Sequence, residues 1–349
     1  MSTTLGHDTV EVITAPSHDR SAWKAIVARY QGSDVARSVL QIVTTLVPLA
    51  IAFIVMYWSL GVSYWLTLLL SLPTAGLLVR TFIIMHDCTH NSFLPSRRWN
   101  DIVGFVTGVL TLTPFDQWRR DHALHHASSG DLDRRGHGDI NTLTVREYLA
   151  RDTWGRFKYR AFRHPLTLLG LGPLHLMVNQ RFRGTGTIAT KDKQARGVIT
   201  TNIGIAVGLA FFGYFFGFKE VLMIYLPSIY LAGAFGVWLF YVQHQFEDAY
   251  WEPHDEWDYV TSAIAGSSYF KMNPIMQWFT GSIGLHHVHH LGPKIPNYRL
   301  QRAHDENPLF HDVTVITVSS TFRLLGLTLW DEDAKQLVRF RDVPQIATK

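Results

Sequence analysis

Residues 39 to 60, VLQIVTTLVPLAIAFIVMYWSL, carry no charged side chain, and about 20 such residues are enough for a helix to cross a bilayer core. Further apolar runs at 62 to 85, 198 to 217 and 221 to 243 bring the number of expected spans to four. Only a few residues around Gly61 and Lys219 separate the members of each pair. The spans therefore form two hairpins, each with both ends on one membrane face. Composition agrees: the chain of 349 residues is 47% hydrophobic and 17% charged, with its apolar residues gathered in blocks. Arg80 is the one charge inside the second run, close enough to its end to snorkel to the interface.

Basic residues such as Arg97, Arg98, Arg119, Arg120, Arg134 and Arg135 crowd the segment between the second and third spans, whereas the hairpin tips hold only Lys219. The positive-inside rule puts both termini and this long middle segment in the cytoplasm. It accounts for the net charge of +4 without a nucleic-acid partner. The first 38 residues lack the charged stub and short apolar core of a cleaved signal peptide. Trp23, Ile26, Val27 and Tyr30 have helical spacing and fit either an interfacial or a solvated helix. The single cysteine, Cys88, rules out an internal disulfide and reads as a buried structural thiol. Two shorter apolar stretches, 102 to 113 and 166 to 178, are interrupted by Gly and Pro. They fall below spanning length and read as interfacial, re-entrant or core helices.

The chemistry lies in histidines. They cluster as HDCTH (His86, His90), HALHH (His122, His125, His126) and HHVHH (His286, His289, His290). Residues three or four apart share a helix face. At about 100° per residue, His286, His289 and His290 fall within one third of the circumference while His287 points away. His287 is therefore a supporting or structural imidazole. His244 stands one residue past the last apolar run, level with the exit of His86 from the second span. These nine imidazoles exceed what one four-coordinate zinc uses and suit two metals with four or five nitrogen ligands each. Two zinc ions for hydrolysis would bring bridging carboxylates, which the clusters lack. Soluble di-iron proteins use Glu with Glu-x-x-His, so an almost all-histidine site beside lipid points to oxygen chemistry on a lipid-borne substrate. Asp87, Asp121, Asp131, Asp139, Glu247 and Asp248 are candidates for receiving N–H bonds from the ligating rings.

Taken in order around two apolar hairpins, the boxes HDCTH, HALHH and HHVHH resemble those of the membrane fatty acid desaturases. The stretches HHASSGDLDRRGHGDINTLTVREY and GLHHVHHLGPKIPNYRLQRAHDENPLF resemble bacterial acyl-lipid desaturases related to the omega-6 (delta-12) group. The resemblance spans roughly residues 40 to 325. It implies a non-haem di-iron oxidoreductase of lipid metabolism, an enzyme of unsaturated fatty acid biosynthesis. Such an enzyme uses O₂ and two electrons to desaturate the acyl chain of a membrane lipid, or less readily an acyl-CoA or acyl carrier protein. His86, His90, His122, His125, His126, His286, His289 and His290 inherit the iron-ligand role, and His244 matches the family's extra histidine. No catalytic residue is implied beyond the metal ligands. Trp118, Phe240 and Tyr241 are candidates for an acyl-chain wall or for plain packing. Two departures stand out. Phe240 occupies the position one turn before His244 where the acyl-CoA branch has a water-holding asparagine, and HPLT at His164 replaces the haem-binding HPGG of fused relatives. Electrons then come from a separate carrier such as ferredoxin, whose acidic surface a basic cytoplasmic face suits.

The expected fold is an all-α integral membrane protein of the bacterial inner membrane: four transmembrane helices in two hairpins under a cytoplasmic helical cap that holds the di-iron site. Its parts are an N-terminal segment (1–38), the desaturase domain (39–325, cytoplasmic over 86–197 and 244–325) and a C-terminal tail (326–349). Two other readings stay open: a di-iron hydroxylase or ketolase acting on fatty acids, alkanes or carotenoids, and a non-enzymatic metal-binding or transport protein. The second sits poorly with clusters outside the spans, because transporters place their ligands near the midplane.

Overall fold

A computed structural model describes residues 22–136, 140–182 and 193–343. Among the described residues, four helices are long and apolar enough to cross a membrane: α2 (Val35–Ser59), α3 (Tyr64–Thr89), α9 (Lys193–Phe216) and α10 (Phe218–His244). Around them stand α1 (Ala22–Ala28), α4 (Arg97–Leu110), α5 (Phe115–Ser128), α6 (Val145–Leu149), α7 (Thr153–Arg163) and α8 (Gly172–Phe182). After α10 come α11 (Tyr259–Ala265), α12 (Pro274–Phe279), α13 (His286–Leu291), α14 (Asn297–Glu306) and α15 (Thr321–Leu324). The long helices outrun their apolar sequence because backbone hydrogen bonding continues past the last hydrophobic residue. Thus α3 carries His86 in its last turn with His90 as its C-cap, and α10 ends on His244. Between α9 and α10 the chain turns on Gly217, at φ 89°, a left-handed value that glycine adopts without Cβ strain.

Helix α3 is the central one. Of its apolar window 61% is buried inside the protein, against 17% to 22% for the other three. It packs on α2, α4 and α10. Arg80 does not snorkel: it is buried, donating to Thr45 Oγ1 at 3.0 Å and to the Trp278 carbonyl, with its guanidinium 4.2 Å from the Trp278 ring centre. Burial is tolerated because α12 folds back to supply an acceptor and a π face, partners far away in sequence.

The apolar stretch 102–113 becomes α4 followed by a turn, and α5 then returns the chain to the histidine-bearing end of α3. Gly104 lets the two pack closely, since a Cβ there would stand 2.1 Å from the Phe115 ring. The turn leaves carbonyls that lie among apolar helices and must be satisfied within the protein. Tyr225 of α10 donates its hydroxyl to Leu110 O at 2.9 Å, and Arg181 of α8 donates to Leu112 O at 2.5 Å. The second short stretch, 166–178, runs through a π-helical turn (Thr167–Leu171) into α8, which packs on α10 and leaves Leu174, Leu176 and Val178 exposed.

The chain is mostly helical rather than all-α. Strands β1 (Leu143–Thr144), β4 (Leu329–Asp331) and β5 (Gln336–Val338) form one sheet, with β1 and β4 parallel and β4 and β5 antiparallel. A second, parallel pair joins β2 (Tyr269–Lys271) to β3 (Val315–Thr317). Strands this short carry no readable alternation, and their pairing joins segments remote in sequence. Val27 and Tyr30 are buried in one apolar cluster with Leu291, Ile295 and Leu300, and Trp23 and Ile26 of the same helical face are partly buried against it. The α1 segment thereby closes over α13.

Candidate metal centre

Among the described residues, nine imidazoles converge where α3, α5, α10 and α13 meet, and they do so as two groups. One comprises His86, His90, His122, His126 and His289; the other comprises His125, His244, His286 and His290. Within each group the ligand atoms lie within 4.8 Å of one another, and all but His90 are buried. Both α5 and α13 feed both groups. The tight faces expected from spacing are real, yet each is split: His125 parts from His122 and His126, and His289 parts from His286 and His290. His287 joins neither group. It faces α14, with Nε2 3.3 Å from His304 Nδ1.

The nitrogens meet Nε2 to Nε2. In the first group His122 stands 2.9 Å from His86 and 3.0 Å from His126. In the second, His244 stands 3.2 Å from His125 and 2.9 Å from His286, which is 3.1 Å from His290. A ring nitrogen has one in-plane direction for a proton or a lone pair. His122, His244 and His286 each face two neighbours, so hydrogen bonding cannot satisfy both, whereas a shared cation can. His90 Nε2 and His289 Nε2 are buried with no hydrogen-bond partner among the described residues. The 2.9 to 3.2 Å contacts bring the lone pairs of each group close enough for one cation to be shared among them.

Burial acts on the rings' protonation: His122, His126, His286, His289 and His290 are held well below the usual histidine range, first by burial and then by neighbouring imidazoles. Tautomers are set from behind. His86 Nδ1 donates to Asp87 Oδ1 at 3.1 Å and His244 Nδ1 donates to Gly266 O at 3.1 Å, leaving each Nε2 lone pair to point inward. The buried Asp87 also accepts from the backbone N and side-chain Nδ2 of Asn297 at 2.7 and 2.8 Å, which ties the first histidine box to the start of α14. Asn297 and Gly266 carry no local motif. Only the folded chain brings them to the rings.

Among the other candidate carboxylates, Asp121 accepts from Gln117 and Asp131 pairs with His254 at 2.8 Å. Glu247 and Asp248 are exposed, and Asp139 lies outside the described residues. Trp118 stacks on His122 with ring centres 4.1 Å apart, and the Phe240 ring lies 5.1 Å from His125 and 5.2 Å from His244. Tyr241 turns away, donating to Leu324 O and Leu327 O. A narrow pocket beside His244 is walled by Ser129, Gly130, Phe240, Gln245, Tyr250 and Gly266.

Comparison with known proteins gives a concordant picture. A family profile described as fatty acid desaturase matches residues 62–317. A fatty acid desaturase of Bacillus subtilis is 42% identical over 331 residues, covering 95% of this chain and 93% of the relative. An sn-1 acyl-lipid omega-3 desaturase (ferredoxin) of Synechocystis is 27% identical over 231 residues, 64% of this chain and 62% of the relative. An sn-1 oleoyl-lipid 12-desaturase of Anabaena variabilis is 26% identical over 257 residues, 71% of each.

Proposed function

The chain belongs to the fatty acid desaturase family, and from that premise we propose that it desaturates the acyl chain of a membrane lipid at a di-iron centre, with electrons from a ferredoxin-like carrier. It is an oxidoreductase of fatty acid metabolism. The observation that carries the finer reading is the pair of buried imidazole groups at the ends of the apolar helices.

In this reading His86, His90, His122, His126 and His289 hold one iron and His125, His244, His286 and His290 the other. Two irons so held would supply the activation of O₂ needed to take hydrogen from an unactivated CH₂. The protein's part is positional. Burial keeps His122, His126, His286, His289 and His290 neutral, Asp87 and Gly266 fix the tautomers of His86 and His244, and Trp118 and Phe240 cover the rings and exclude water. The apolar helices pair as two hairpins, α2 with α3 and α9 with α10. A cytoplasmic cap of residues 86–197 and 244–325 carries the centre, and a bacterial inner membrane is the setting. The ferredoxin named for the Synechocystis relative supports an iron–sulfur donor here.

The test is expression in a bacterial host with a ferredoxin and its reductase, followed by gas chromatography and mass spectrometry of membrane fatty acids. A new unsaturated acyl chain, absent from a His286→Ala control, is the expected result. A hydroxylated product would move the assignment to hydroxylation, and an unchanged profile with iron loaded would remove membrane lipid as the substrate.

A further inference from the structure

Arg163, near the end of α7, is only 1% exposed and has no carboxylate partner among the described residues. Burying a charge without a counter-ion is costly, so its retention calls for a role. Tyr159, one turn earlier, ties the same face of α7 down, accepting from Leu143 N at 2.9 Å and donating to Thr328 O at 2.6 Å. The guanidinium instead gathers three other segments. It donates to Asn141 O and Thr142 Oγ1 before β1, to Leu327 O before β4, and to Gln245 Oε1 at 2.8 Å.

Gln245 is the C-cap of α10, immediately after His244, at φ −116° and ψ 78°, where the helix unwinds. Its amide is held at both ends: Oε1 accepts from Arg163, and Nε2 donates to Thr142 Oγ1 at 3.3 Å. His244 is the only member of either imidazole group that α10 supplies, and it is that helix's last residue. Helix ends fray unless something ties them. We infer that Arg163 is a positioning residue for the second imidazole group, clamping Gln245 so that the end of α10 presents His244 to His125, His286 and His290. The inference rests on the ligand reading given above.

Full-length protein in detergent, loaded with iron, tests it by metal content alongside thermal unfolding. His244→Ala should lose about half the bound metal. Arg163→Lys keeps the charge but loses the planar fork, and should approach the same loss with little change in unfolding temperature. Gln245→Leu, which leaves Arg163 three acceptors, should do likewise and decides the matter if Arg163→Lys does not fold. Added to His244→Ala, Arg163→Lys should remove no further metal, the non-additivity expected of residues acting as one unit. Full metal in both clamp variants while His244→Ala loses metal overturns the positioning role alone. Parallel loss of all metal with a lowered unfolding temperature also overturns it, leaving a structural residue. Full metal in His244→Ala overturns the ligand reading and the positioning role with it.

Discussion

The two imidazole groups sit side by side but are built differently. The first has five members from α3, α5 and α13, and it is braced by the buried carboxylate of Asp87, which Asn297 locks in place. The second has four, from α5, α10 and α13, and its braces are a backbone carbonyl behind His244 and, behind the helix end, the Gln245 amide held by the Arg163 guanidinium. One group has a fifth imidazole and a negative charge at its back, and the other has four imidazoles and a guanidinium behind its helix end. A histidine box in the sequence is therefore not a site. Each box on α5 and α13 is shared, so the two groups are bound to each other through common helices and cannot drift apart.

The sharpest test of this asymmetry removes one imidazole from the smaller group. His286→Ala should abolish desaturation and lose about half the metal, measured by product analysis and elemental analysis. His90→Ala, taken from the larger group, leaves four rings and should retain clearly more metal and activity; equal losses would break the comparison. Asp87→Asn should weaken metal affinity by about 10- to 100-fold, confined to the first group, seen by chelator competition as one weak and one unchanged site. His287→Ala should leave metal content unchanged. Burial pushes His287 down to about 3, whereas an unfolded histidine titrates near 6.5. Between those values the unfolded chain takes up a proton that the folded one refuses, so this residue costs stability as pH falls from about 6.5 toward 3. The variant should unfold less steeply with acid over that window, read from thermal midpoints against pH.

Much of this was readable from sequence because it rests on local rules. Apolar runs mark the four long helices, spacing names eight imidazoles and the end of the last run a ninth, and the nine converge. The partition into five and four was not readable. Helical spacing tells which residues share a face, but not that a face as wide as that of His122, His125 and His126 would be divided between two centres. Asp87 was visible as a neighbour of His86, but its lock, Asn297, is 210 positions away. Arg80 misled for the same reason: proximity to a span's end suggested snorkelling, whereas Thr45 and Trp278 wait for it in the fold. Strands of two or three residues leave no pattern to read.

The central claim is that each imidazole group holds its own metal. Anomalous scattering from crystals of the full-length, iron-loaded protein, recorded on both sides of the iron edge, tests it most directly. Two iron peaks are predicted, one ringed by His86, His90, His122, His126 and His289 and the other by His125, His244, His286 and His290. A single peak shared by both groups, or a metal seated instead between His287 and His304, would contradict it.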